Sequence, residues 1–174
     1  DGEISMSKSQ VSASDVKFVQ GQQQIVIGTE PSSIGNSHDI VVQLTKVNID
    51  DFVSIVTSQP KLEGKLNGTV RISDPFVKPF IEYDASIEEF RADNDSIGLF
   101  NALGSYDVSK SILAIKATSD NIENQLDIDG LINFKDSTEN QTRLALKSDK
   151  FNISILNNYL NSIFSDIKGF ANTT

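Results

Sequence analysis

Apolar and polar positions alternate with period two through most of the chain, a pattern that predicts strands with one apolar and one polar face. In "NQLDIDGLINFKD", Leu126, Ile128, Ile132 and Phe134 fall on one parity, and Asp127, Asp129, Asn133 and Lys135 on the other. "FIEYDASIEEF" sets Ile81, Tyr83, Ala85 and Ile87 against Glu82, Asp84, Ser86 and Glu88, and "TRLALKSD" sets Leu144 and Leu146 against Arg143, Ala145 and Lys147. Turn-forming stretches separate the runs: "TEPSSIGNS" from Thr29, "SDPF" from Ser73, "DNDSIG" from Asp93, "YDVSK" from Tyr106 and "KDSTENQ" from Lys135. Strands recurring at roughly 10–15 residues, with no helical pattern between most of them, predict an antiparallel meander joined by short hairpins.

Two stretches follow a different period. In "NIDDFVSIV", Ile49, Phe52, Val53 and Val56 recur at helical spacing, with Asn48 placed to cap and Asp50 and Asp51 in the first turn. "ISILNNYLNSIF" repeats the design, with Leu156, Tyr159, Leu160 and Ile163 on one face and Asn157, Asn158 and Asn161 on the other. A glycine-marked strand start follows each, "LEGKLNG" and "DIKGFAN". The chain therefore divides into the end of a preceding β unit (1–45), a repeat unit of short helix and antiparallel strands (46–149) and the start of the next unit (150–174), all within one continuous β domain. Helices this short depend on tertiary packing, so each is expected to dock on the end or mouth of the sheet and to cover only part of its apolar face.

Composition narrows the partners. The 174 residues suit one domain or a piece of a repetitive array, and 15 basic against 24 acidic residues give a net charge of −9. That balance repels nucleic-acid backbones and anionic headgroups, and lysines such as Lys61, Lys65 and Lys78 are scattered along the sequence, which argues against nucleic acid as a partner. The absence of cysteine removes disulfides, thiolate nucleophiles and cysteine-containing zinc sites. It leaves the compartment open, since extracytoplasmic bacterial proteins often lack cysteine. No run approaches the ~18 apolar residues of a membrane span. The charged start "DGEISMSK" is no signal peptide, and without an initiator Met the chain reads as an excised fragment or mature segment.

Candidate chemistry is thin. His38 is the only histidine, and no nucleophile elbow accompanies it, so it reads as a loop or strand-edge residue. "DNDSIG" places Asp93, Asp95 and Gly98 as a calcium loop would, but Ile97 and Gly104 stand where oxygen ligands are required; a turn is the better reading. Asp127 and Asp129 project from one strand face roughly 7 Å apart, a spacing glycosidase acids can use, yet paired exposed carboxylates usually mark a solvated face. "NGT" at Asn67, "NQT" at Asn140 and "NIS" at Asn152 match the glycosylation triplet by composition alone. No catalytic residue, metal site or cofactor is expected.

The segment "VVQLTKVNIDDFVSIVTSQPKLEGKLNGTVRIS" resembles the recurrent unit of TamB and the wider AsmA-like family: a strand, a short helix, then a strand opening with L-x-G-x-L-x-G. The strands after it are similar too, with the cadence Ile97, Gly98, Gly104, Ser105, Tyr106, Asp107 and Leu113 and a closing strand that reaches Gly130. The unit restarts at "LALKSDKFNISILNNYL". The resemblance covers most of the chain from Ile40 onward; the second glycine motif departs to "IKGFANT". It implies a mainly β fold, a long curved antiparallel sheet forming a taco-like hydrophobic trough with short interspersed amphipathic helices. It also implies a periplasmic protein anchored in the inner membrane of a Gram-negative bacterium, carrying phospholipid toward the outer membrane. A BamA-like outer-membrane protein, TamA, is the implied partner of other parts of such a chain.

A sheet with a long apolar face must be closed, paired or occupied, and acyl chains need no more than an apolar lining. The expected function is accordingly a non-enzymatic segment that binds phospholipid acyl chains in a β-groove. Its candidate lining is Ile81, Tyr83, Ile87, Leu126, Ile128, Ile132, Phe134, Leu144 and Leu146. The same residues would serve equally as the core of a closed structural module. A third possibility is a chaperone-like platform for outer-membrane strands or autotransporters, working by β-augmentation.

Overall fold

Alternation in the sequence becomes strand in the structure almost throughout. The computed structural model describes residues 2–7, 10–14, 16–32, 38–56, 61–93, 95–122, 125–135, 142–152 and 170–173, and side chains within these apart from residues 54–56 and those beyond 150. Twelve strands and one helix follow in order among the described residues: β1 (Glu3–Met6), β2 (Val11–Ser14), β3 (Val16–Gln20), β4 (Gln23–Pro31), β5 (His38–Asn48), α1 (Asp50–Val56), β6 (Leu62–Ser73), β7 (Phe80–Ala92), β8 (Asp95–Asp107), β9 (Ile112–Ser119), β10 (Asp127–Asn133), β11 (Arg143–Asn152) and β12 (Phe170–Thr173). β3 to β12 pair antiparallel in sequence order as one ten-stranded sheet that does not close into a barrel. β1 and β2 form a separate hairpin, and β2 lies against β4 and β5. The helix expected in "ISILNNYLNSIF" lies outside the described residues.

Register decides which side chains share a face, because a one-residue slip would exchange the faces. Successive pairings carry one row across the sheet through Leu44, Gly68, Ala85, Ala102, Ala117, Ile128 and Leu146. A parallel row runs through Val42, Val70, Tyr83, Gly104, Ile115, Gly130 and Leu144. Between them, on the opposite face, run Gln43, Thr69, Asp84, Leu103, Lys116, Asp129 and Ala145. From β6 to β11 the sheet is thus apolar on one side and largely polar on the other.

Bulges curve it. Lys46 (φ 49°), Glu89 (φ 54°) and Gly98 (φ 82°) interrupt the ladders of β5, β7 and β8 near the end that carries α1, and the β6–β7 register shifts at Gly64. An extra residue bends its strand and sharpens the local twist, and four neighbouring strands bend here together. Inside that line Ile49, Phe90, Ala92 and Ile97 form the one buried cluster among the described residues, with Leu62, Leu66, Ile87 and Phe100 packed beside it. The L-x-G-x-L-x-G motif explains itself in this setting. Leu62 and Leu66 feed the cluster, while Gly64 (φ 150°) and Gly68 (φ 156°) adopt backbone that favours glycine. A Cβ at Gly68 would collide with the Asp84 carbonyl and stand 2.7 Å from the Ala85 Cα.

The helix begins one residue later than the sequence suggests. The Ile49 carbonyl accepts the first helical bonds, from the N–H groups of Phe52 (3.1 Å) and Val53 (2.9 Å). Asn48 does not cap: it is the last residue of β5, opposite Lys65, and its N–H donates to Gln23 Oε1 at 2.9 Å. Ladder pairing holds Asn48 extended and overrides its capping preference. Ile49 is buried, Val53 half-buried and Phe52 exposed, so α1 docks by its first turn and closes one rim of the sheet.

Candidate functional site

All nine lining candidates lie on the apolar face. The pairings connect Ile81 to Ile132 through Tyr106 and Leu113, Tyr83 to Leu144 through Gly104, Ile115 and Gly130, and Ile128 to Leu146 directly. Ile87 pairs with Phe100, which pairs with Ser119. Leu126 joins that row by its carbonyl, which accepts from Ser119 N–H at 2.9 Å, and by its N–H, which donates to Ser119 Oγ at 3.0 Å. Phe134 follows β10 and meets Tyr106 edge-on, ring centroids 6.2 Å apart.

Among the described residues no layer lies over this face from β7 to β11, though Leu126 and Ala117 are buried within it. Phe134 is 63% exposed and Leu144 60%, while Ile81, Tyr83, Ile87, Ile128 and Ile132 are half-buried by one another and by their strand neighbours.

Relief on the apolar face follows side-chain size. Gly68, Ala85, Ala102 and Ala117 make a low strip that runs across four strands, with Leu66, Ile87 and Phe100 standing on one side of it and Val70, Tyr83 and Ile115 on the other. Tyr83 lies over Gly104 and donates its hydroxyl to the Ala114 carbonyl at 3.1 Å; a Cβ at position 104 would stand 2.8 Å from the Tyr83 Cζ. Burial raises the Tyr83 phenol above its ordinary pKa, so it stays a neutral donor. At Gly130 the side chains of Ile115 and Leu144 fill the space that a Cβ would need.

From β6 to β11 the outer face carries charged side chains, with Leu103 and Leu131 exposed among them. Asp127 is exposed there, and Asp129 sits between Arg143 (3.6 Å) and Lys116 (3.9 Å), one charged group among several on this surface. Arg71 bridges Glu30 (2.6 Å) and Asp39 (3.3 Å), and Asp39 is 1% exposed where β2 covers β5. His38 is an exposed strand-start residue opposite Pro31. Asp93 makes a turn with φ 54°, its Oδ1 accepting from the Lys61 N–H at 3.0 Å, while Asp95 already belongs to β8. Among the described residues no cluster of three or more His, Cys, Asp or Glu is arranged to hold a metal ion. None of their helices is long and apolar enough to cross a membrane.

Alternation alone misses part of the lining. Ile25, Ile27, Ile40 and Val42 belong to the same face, but Val26 and Val41 make both parities of β4 and β5 apolar. Val41 is buried on the outer face, where β2 lies, which is why that parity is apolar as well. In β8 the bulge at Gly98 shifts the parity between Ile97 and Phe100, so a strict period of two separates residues that the structure joins. Glycine within a strand pattern was the available signal for that shift. Comparison with protein-family models, curated proteins and solved structures found no match, and function is therefore read from the residues and their geometry.

Proposed function

We propose that the chain is a non-enzymatic segment of a TamB/AsmA-like periplasmic protein, in which the concave apolar face holds phospholipid acyl chains on their way to the outer membrane. The observation that carries this reading is the apolar face, uncovered over β7 to β11 among the described residues, that register aligns from β4 to β11, backed over β6 to β11 by a largely polar outer face. Each CH₂ that leaves water on this face gains about 0.8 kcal/mol, and no directed polar contact is needed. The low strip from Gly68 to Ala117 runs across the strands, so an acyl chain would lie along the sheet and pass from one strand to the next with little change in surroundings. Headgroups would remain in solvent at the open rim.

A photo-crosslinking amino acid placed at Ile128 or Ile132, compared with Asp127 or Asn133, tests it in cells or with added phospholipid. Lipid adducts at the two isoleucines alone are expected; equal labelling of both parities, or labelling of neither, contradicts the reading. A second reading, a platform for outer-membrane strands, has one feature in its favour: the outer edge of β3 has no strand partner among the described residues. It predicts that amphipathic β-peptides label β3 in preference to lipid labelling of Ile128.

A further inference from the structure

At its β3 end the trough runs into a groove of about 600 Å³ between the β3–β4 hairpin and α1, within the size range of small-ligand sites. Its lining includes Phe18, Ile25, Val47 and Phe52, and with them one cation and one anion, Lys17 and Asp51. Val47 is buried, while Phe18 is 58% exposed and Phe52 50%. Two bonds tie the hairpin to the end of β5 and fix the shape of the groove. Asn48 N–H donates to Gln23 Oε1 at 2.9 Å, and Lys46 Nζ donates to Gln22 Oε1 at 3.3 Å. Register joins the groove to the trough, because Phe18 pairs with Ile25, Ile25 with Leu44, and Leu44 with Gly68, where the low strip begins. Lys17 and Asp51 are both exposed, and neither ion-pairs with the other or with another described residue. Asp50 lines a separate groove between α1 and β6.

We propose that this groove seats the zwitterionic headgroup of a phospholipid, with Lys17 toward its phosphate, Asp51 toward its ammonium, and the acyl chains running along the Phe18–Ile25–Leu44 row into the trough. The inference rests on the acyl-binding reading and adds the headgroup to it. Two opposite charges that share one groove without pairing leave both available to a ligand that carries both signs. A phosphoethanolamine head holds a phosphate and an ammonium on a short ethylene link. It has no net charge, so the chain's net charge of −9 does not repel it. A purely anionic head would meet Lys17 but also Asp51. Because Lys17 and Asp51 are exposed, the head stays solvated at this corner, while Phe18 and Phe52 take up the first methylenes of the chains.

Native mass spectrometry of the chain released from mixed micelles tests this, with phosphatidylethanolamine and phosphatidylglycerol of identical acyl chains supplied in equal amounts. Ethanolamine-lipid adducts are expected to exceed glycerol-lipid adducts about threefold, the scale of one exposed ion pair. Asp51→Asn should bring the ratio near one by removing the ammonium contact, and Lys17→Gln should lower both adducts, since both lipids carry the phosphate. Lys17 lies on β3, apart from the helix, so its variant keeps the test decisive if Asp51→Asn loosens α1. Glycerophosphoethanolamine, which has the head without the chains, should not bind; binding as strong as that of the lipid would set the site apart from the trough and overturn the proposal. Equal adducts of the two lipids on the unaltered chain, or a preference that both variants leave unchanged, also overturns it. Those results leave acyl binding standing, whereas the absence of every lipid adduct removes both readings.

Discussion

Gly68 shows how closely one residue can be tied to this architecture. Its φ of 156° and the nearness of the Asp84 carbonyl leave no place for a side chain, so Gly68→Ala is expected to cost about 1–3 kcal/mol, read as a lowered urea midpoint with unchanged m-value. Arg71 tests a charge instead of a shape. Removing it leaves the buried Asp39 carboxylate without its guanidinium, and Arg71→Ala should destabilise by roughly 2–3 kcal/mol, part of which Asp39→Asn in the same chain restores. Equal stability of the single and double variants would contradict that account. Asp107 supplies a pH dependence. Hydrogen bonds from Ser109 Oγ and from Lys110 hold its carboxyl well below the ordinary 3.8. A depressed folded-state pKa contributes stability that is complete above the ordinary value and is lost as pH falls through the lower one. Protection of the 108–111 amides, taken relative to their intrinsic exchange at each pH, should therefore hold near neutrality and fall only below about pH 4; protection unchanged on acidification contradicts it.

At the scale of elements, α1 depends on Ile49. Its seven residues are too few to hold a helix in water, and the buried Ile49 is what attaches it to Phe90, Ala92 and Ile97. Ile49→Ala should cost about 2–4 kcal/mol and abolish helical amide protection at Val53 before the sheet unfolds; simultaneous loss of both would show that helix and sheet form one cooperative unit. Much of this level was legible in the sequence. β7 as far as Ile87, and most of β10 and β11, follow the alternation, because each has one face toward the trough and one toward water; the Glu89 bulge resets β7 before Phe90. β4, β5 and β8 were less legible for definite reasons. The β1–β2 hairpin makes the outer side of β5 apolar at Val41, and the Gly98 bulge resets the parity of β8. Asn48 illustrates the remaining limit, since its capping propensity lost to a ladder position that only long-range pairing defines.

For the molecule as a whole, ten strands at a spacing of about 4.8 Å give a trough roughly 43 Å along its floor. Half the ~30 Å hydrocarbon core of a bilayer is the reach of one acyl chain, so the segment has room for more than a single lipid tail. Sequence showed the apolar parity of the clearest strands; the continuity of that parity across the sheet depends on register, which no single strand contains. The measurement that tests this most directly is native mass spectrometry of the purified chain, with lipid extraction and with Ala102→Asp beside the wild type. Phospholipid masses on the wild-type monomer, lost when a carboxylate is set into the middle of the low strip, are what an open acyl-binding trough predicts. A lipid-free wild-type monomer, or identical adducts on both proteins, would contradict it.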